Sequence, residues 1–161
     1  MVATDLDPRF TFDSFVVGPA NRLASAAARR VADAPGTSYN PLFIYSSSGL
    51  GKSHILNGIA HYAARVHPGY GVVYVAVESF LEELTEAIRA GTEEEFRQRY
   101  EELHILLLDD VQFLTGQKEA QEMLLRLLDE MSKSEGQVVL ASDRSPSDID
   151  GLDERLVTRF S

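Results

Sequence analysis

One stretch limits the fold of this chain more than any other: Ser46-Ser47-Ser48-Gly49-Leu50-Gly51-Lys52-Ser53. It follows a short apolar run, Leu42 to Tyr45, and precedes an apolar helical pattern that opens His54-Ile55-Leu56. Strand, glycine loop and helix in that order let successive backbone N–H groups wrap a phosphate at a helix N-terminus. The motif also needs a lysine for the outer phosphates and a hydroxyl for magnesium. Gly49, Gly51, Lys52 and Ser53 meet those needs, with Ser48, Leu50 and His54 completing the cradle. The plainer alternative is a Gly/Ser turn that carries Gly-Lys-Ser by chance. Ser46 stands where such a loop usually has its first glycine, placing a Cβ where the backbone normally leaves the strand freely.

Apolar runs and turn signals extend the pattern along the chain. Four short runs read as strands: Leu42 to Tyr45, Val72 to Val77, Ile105 to Leu108 and Gln137 to Ala141. Helical patterns cover Asn21 to Ala34, ended by Pro35-Gly36, and then Lys52 to Val66, Ser79 to Ala90, Thr92 to Leu103 and Ala120 to Lys133. The strands are apolar on both faces, the signature of parallel strands covered by helices on each side. An α/β domain of this kind binds ligands at the carboxyl ends of its strands. With 161 residues and 44% hydrophobic content, a single domain with one core is expected.

The run Ile105-Leu106-Leu107-Leu108-Asp109-Asp110 is a buried strand ending in two carboxylates. In phosphoryl chemistry the first acid of such a pair anchors magnesium and the second orients water. Taken alone, the same run fits a strand followed by an aspartate helix cap. Loop and acid pair together are the joint arrangement that phosphoryl transfer needs, so the site is read as a nucleoside triphosphate site.

Charge narrows the partners. With 25 acidic against 15 basic side chains the net charge is -10, so a general basic footprint for nucleic acid is excluded and any DNA contact must be local. No apolar run approaches the roughly 18 residues of a membrane span, and Met1 to Arg9 lacks a secretory signal's apolar core, so a cytoplasmic location is expected. The absence of cysteine rules out disulfides and thiolate metal sites. His54 and His61 lie two helical turns apart and read as solvated or capping histidines, not ligands. Thr92-Glu93-Glu94-Glu95 reads as a helix start, and Met123 to Leu128 as a core stripe.

Further stretches resemble one family. They are Phe12 to Gly18 with Asn21, Tyr39 to Tyr45, Leu108 to Phe113, Ala141 to Arg144 and Gly151 to Phe160. In order and spacing they are similar to the ATPase domain of the bacterial DnaA replication initiators, a P-loop AAA+ fold. The resemblance implies an αβα sandwich with a central parallel sheet, in which residues 1–40 form an adenine-side segment with its helix and 41–161 the P-loop core. It also implies an ATP/ADP and Mg2+ site in which Val17, Gly18 and Asn21 border the adenine, Lys52 and Ser53 hold phosphates and metal, and Asp109 shares the metal. Asp110 would position the attacking water, Asp143 would sense the γ-phosphate, and Arg159, supported by Arg155, would be an arginine finger entering a neighbouring subunit's site. A head-to-tail homo-oligomer follows from that role. From the residues alone, Arg155 and Arg159 are one helical turn apart on one face and read better as a solvated basic edge; only the resemblance reverses that reading.

Two departures from the family pattern set further expectations. The sequence ends at Ser161, where the family continues with a fifth strand, a helical lid and a DNA-binding domain; the lid is therefore expected to be absent, and the first strand to lie at an open edge. At the family's single-strand contacts, Glu119 falls where a basic residue is usual and Thr85 where an apolar one is, with Lys118 one position away, so weak DNA binding is expected. The functional readings, in order, are an initiator-type ATPase, a nucleotide-dependent switch or loader with little turnover, and a DNA-binding protein without nucleotide chemistry.

Overall fold

The computed structural model describes residues 22–36, 40–46 and 49–160, the side chains of 22–26 and 49–50 excepted. Its centre is a four-stranded, all-parallel sheet in the order β1-β4-β3-β2, with β1 Leu42–Tyr45, β2 Val72–Ala76, β3 Ile105–Asp109 and β4 Gln137–Ser142. The register pairs Leu42 with Val139, Leu107 with Val139 and Ala76 with Asp109, so β1 and β2 are the two edges of this sheet. β3 and β4 are buried along their whole length, which is why their sequences are apolar without alternation.

Among the described residues six α-helices cover the sheet: α1 Arg22–Asp33, α2 Gly49–Val66, α3 Val77–Ala90, α4 Glu93–Glu101, α5 Lys118–Lys133 and α6 Glu154–Phe160. Successive strand residues point to opposite faces, so each strand feeds two cores. Ile44, Tyr74, Leu107 and Val139 pack with α1 and α2 on one face. Val75, Leu106, Leu108, Val138 and Leu140 pack with α3 to α6 on the other. The result is the three-layer αβα sandwich expected from the sequence. Each fully buried Leu or Phe in these layers contributes roughly 2 to 3 kcal/mol relative to an exposed one. The Met123 to Leu128 stripe lies in the second core, as its spacing predicts.

The boundaries differ from the sequence reading in informative ways. α2 begins at Gly49 instead of Lys52, so the glycines form its first turn, where the N–H groups have no acceptor within the helix. α3 begins at Val77, directly after β2, where the apolar run predicts strand. α4 runs Glu93–Glu101 instead of Thr92 to Leu103, because the Thr92 hydroxyl donates to the Ala87 carbonyl and leaves the new helix uncapped by its side chain. Gly91, with φ 73°, ends α3 and donates its N–H to carbonyls of that helix's last turn. α6, the helix under Arg155 and Arg159, starts at Glu154. Among the described residues no helix is long and apolar enough to cross a membrane.

Candidate functional site

The carboxyl ends of β1, β3 and β4 converge on the N-terminus of α2, and the side chains there form one network. Lys52, in the first turn of α2, is 3% exposed, and its ammonium donates to Asp109 Oδ1 at 3.0 Å and to Asp110 Oδ1 at 2.6 Å. The Ser53 hydroxyl donates to Asp109 Oδ2 at 2.8 Å. Burial alone would lower the lysine's pKa, but the hydrogen bonds and charges of the two aspartates outweigh it, so Lys52 titrates above its ordinary value and stays cationic. A buried charge of either sign is costly unless paired, so the three groups hold one another in place.

Asp110 has φ 58° and ψ 45°, the left-handed region. Among the described residues it shares a positive φ outside glycine only with Glu135. That backbone costs an L-residue roughly 1 kcal/mol or more, with aspartate among the residues that bear it best. The Asp110 N–H is fixed by Asp109 Oδ1 at 2.8 Å, which turns the second carboxylate away from the strand and onto Lys52. Ser46 carries no such strain: its N–H donates to the Ser142 carbonyl at 3.1 Å and prolongs the β1–β4 ladder. The side chain at the usual glycine position is accommodated as an ordinary strand end.

Two groups without a sequence signature complete the network. Tyr74 on β2 is buried, and its hydroxyl donates to Asp109 Oδ2 at 2.6 Å. Burial, then the Asp109 charge, pushes the phenol far above its ordinary pKa, so it remains a donor. Gln112, in the 3₁₀ turn Val111–Leu114, donates to Asp110 Oδ1 at 3.4 Å and accepts the Asp143 N–H at 3.3 Å. It thereby ties the acid pair to the residue that follows β4. A tyrosine in an apolar strand implies only that its buried hydroxyl finds some partner; that the partner is Asp109 depends on the strand pairing. Gln112 has no comparable mark.

Of the remaining site residues expected from the sequence, Val17, Gly18, Asn21 and Ser48 lie outside the described residues. Gly49, Leu50, Gly51 and His54 fall in the first turns of α2. A Cβ added to Gly51 would meet nothing within 4 Å, so internal packing does not demand glycine there; the close approach of a bound group would. The Asp143 carboxylate is gripped by Arg144 at 2.7 Å, and that hydrogen bond, together with the charges of Arg144 and Lys52, lowers its pKa. Arg159 is not drawn into the network: it bonds to Asp129 on α5. Arg155 likewise pairs with Asp153 and Glu122.

Comparison with known proteins gives the family of the chain. A sequence profile of the bacterial DnaA ATPase domain matches residues 6–161. The chain belongs to the DnaA ATPase domain family. Within that family it is 47% identical to the chromosomal replication initiator protein DnaA of a Synechococcus species, over the whole chain and 34% of that protein. Domain III of Thermotoga maritima DnaA superposes with a TM-score of 0.93 at 44% identity, covering 98% of this chain and 66% of the other. A replication initiator DnaA bound to AMPPCP and single-stranded DNA superposes with a TM-score of 0.92 at 40% identity, over 97% and 48% of the two chains. The chain spans about a third of the length of the curated DnaA proteins it matches.

Proposed function

We propose that this DnaA-family domain binds ATP and ADP with magnesium at the N-terminus of α2, and that it hydrolyses ATP slowly to govern head-to-tail assembly in replication initiation. The observation that carries the reading is the convergence of Lys52, Ser53, Asp109 and Asp110 within hydrogen-bonding distance, from elements far apart in sequence. The donor set fits a small hard cation, since a hydroxyl and a carboxylate oxygen lie 2.8 Å apart at a helix N-terminus. Bound there, magnesium would supply charge neutralisation for the phosphates.

The chain's own residues define the rest of the chemistry. The N–H groups of Gly49 to Ser53 and the Lys52 ammonium bind the phosphates, which requires Lys52 to exchange its two carboxylates for phosphate oxygens. Asp110, held by its own N–H and by Gln112, orients the attacking water. Asp143 reads the outer phosphate from the end of β4, and Gln112 couples it to Asp110. Arg159 acts on a neighbouring subunit's site, supported by Arg155. The engagement of Arg159 with Asp129 favours a second reading, a nucleotide switch with little turnover until assembly frees the arginine. The relative bound to AMPPCP and single-stranded DNA supports nucleotide and DNA as ligands. In this chain Thr85 and Glu119 are both exposed on their helices, and the glutamate opposes a phosphate backbone, so the single-strand grip is weak. Cytoplasm is the compartment this reading implies.

Calorimetric titration of the chain with ATP and ADP in magnesium, beside Lys52→Ala, tests the reading. Micromolar or tighter binding that the variant loses supports it. Unchanged affinity in the variant, or no binding by the unaltered chain, overturns it.

A further inference from the structure

Asp109 is 1% exposed, and its carboxylate receives four donors, two on each oxygen. Lys52 and the Asp110 N–H reach Oδ1 at 3.0 and 2.8 Å; Ser53 and Tyr74 reach Oδ2 at 2.8 and 2.6 Å. Two of these, Lys52 and Ser53, are the donors that a nucleotide and its cation would draw away. The Asp110 N–H is backbone and stays where the turn places it. Tyr74 is then the side-chain donor that remains on the carboxylate throughout. It comes from the neighbouring strand: β2 and β3 pair Tyr74 with Leu107 and Ala76 with Asp109, so the tyrosine reaches along the sheet by two residues to meet the acid.

We propose that Tyr74 is a positioning residue, whose hydroxyl holds the Asp109 carboxylate in the rotamer that serves the divalent cation. The inference rests on the ATP-site reading above and goes beyond it, because neither the phosphate loop at 46–53 nor the acidic pair at 105–110 includes Tyr74. Groups that orient a metal-binding carboxylate act on metal affinity without touching the metal. Replacing the hydroxyl frees the carboxylate to turn about its side-chain torsions and removes one of the hydrogen bonds that fix its direction.

The test measures ATP affinity of the chain with magnesium and with EDTA, for the unaltered protein, Tyr74→Phe and Val75→Ala. Val75 lies on the opposite face of β2 in the other core, so its truncation loosens the same strand without touching Asp109. The expected result is that the gain in affinity conferred by magnesium falls by up to about tenfold in Tyr74→Phe, while affinity in EDTA is unchanged. In Val75→Ala the gain is retained although thermal stability drops. Manganese binding followed by electron paramagnetic resonance, in the presence of ATP, gives the same ordering without any turnover. A gain in Tyr74→Phe equal to that of the unaltered chain, or an equal loss in Val75→Ala, overturns the proposal and leaves the ATP site standing. Absence of any magnesium-dependent ATP affinity in the unaltered chain removes both.

Discussion

Arg159 donates from α6 to the Asp129 carboxylate on α5 at 2.7 Å, so the arginine is engaged within its own chain. Asp129 is exposed and Arg159 about one-third exposed, and a pair at the surface is worth between zero and about 1 kcal/mol. An arginine that acts in a neighbour's site must leave Asp129 first, and 1 kcal/mol corresponds to a factor of about five. Asp129→Asn is therefore expected to raise assembly-stimulated turnover by up to about fivefold, with the melting temperature almost unchanged. Arg159→Ala is expected to lower that turnover about 10³-fold and to leave ATP affinity intact. Steady-state ATPase rates measured against protein concentration check both; collapse of ATP affinity in Arg159→Ala would make the residue structural.

Gln121 fastens the segment before α6 to the turn after the acid pair. Its Nε2 donates to the Leu114 and Gly151 carbonyls at 2.6 and 2.9 Å, and its Oε1 accepts the Asp153 N–H at 2.8 Å. The side chain is buried. Gln121→Leu keeps most of the volume but takes the acceptor from the Asp153 N–H, a loss worth about 1 to 3 kcal/mol, while the Leu114 and Gly151 carbonyls each lose one donor and still accept the Gln117 and Gly116 N–H groups. A loss of about 2 kcal/mol in urea denaturation is expected. Amide exchange at Asp153 should accelerate before that of β3; uniform acceleration would show that the latch is not local.

The layering was legible from the apolar runs because β3 and β4 are buried on both faces and the helices between them keep their stripes. Lys52, Ser53, Asp109 and Asp110 were legible as a group because each comes from a motif with fixed spacing, and the sheet order brings β1 and β3 to the same end. Tyr74 was not, because its role depends on the β2–β3 register, which a sequence without pairing information does not state. The partners of Arg159 and Gln121 were hidden for the same reason: Asp129 and Gly151 lie about thirty residues away along the chain. The strand reading of Val77 failed because β2 passes into α3 without an intervening turn.

Asp153 should report the α6 network by its titration. The Arg155 side chain, and then the Arg155 N–H, hold its pKa down at about 2 against an ordinary 3.8. A folded-state value below the unfolded one means the contribution to stability is present above pH 3.8 and is lost as pH falls from 3.8 towards about 2. Arg155→Ala removes the larger cause and leaves the N–H, so the midpoint is expected to rise part of the way to the ordinary value. Carboxyl carbon chemical shifts followed by NMR read this directly, and an unmoved midpoint would assign the depression to the backbone alone.

Two glycines give opposite forecasts for the same substitution. Gly36, after α1, has φ 79°, and a Cβ there would sit 2.4 Å from the Glu135 carbonyl oxygen, a backbone atom that cannot swing aside. Its N–H also donates to Gln137 Oε1 at 2.7 Å, so the turn is tied to the start of β4. Gly36→Ala must move the turn off this contact and is expected to cost about 2 to 4 kcal/mol. At Gly69, before β2, an added Cβ meets nothing within 4 Å and φ is not in the left-handed range. Gly69→Ala therefore restricts mainly the unfolded chain and is expected to be neutral or stabilising by up to about 1 kcal/mol. Urea denaturation of the two variants side by side decides the matter, since equal stabilities would mean that the α1 turn yields without loss and that the Glu135 contact does not hold it.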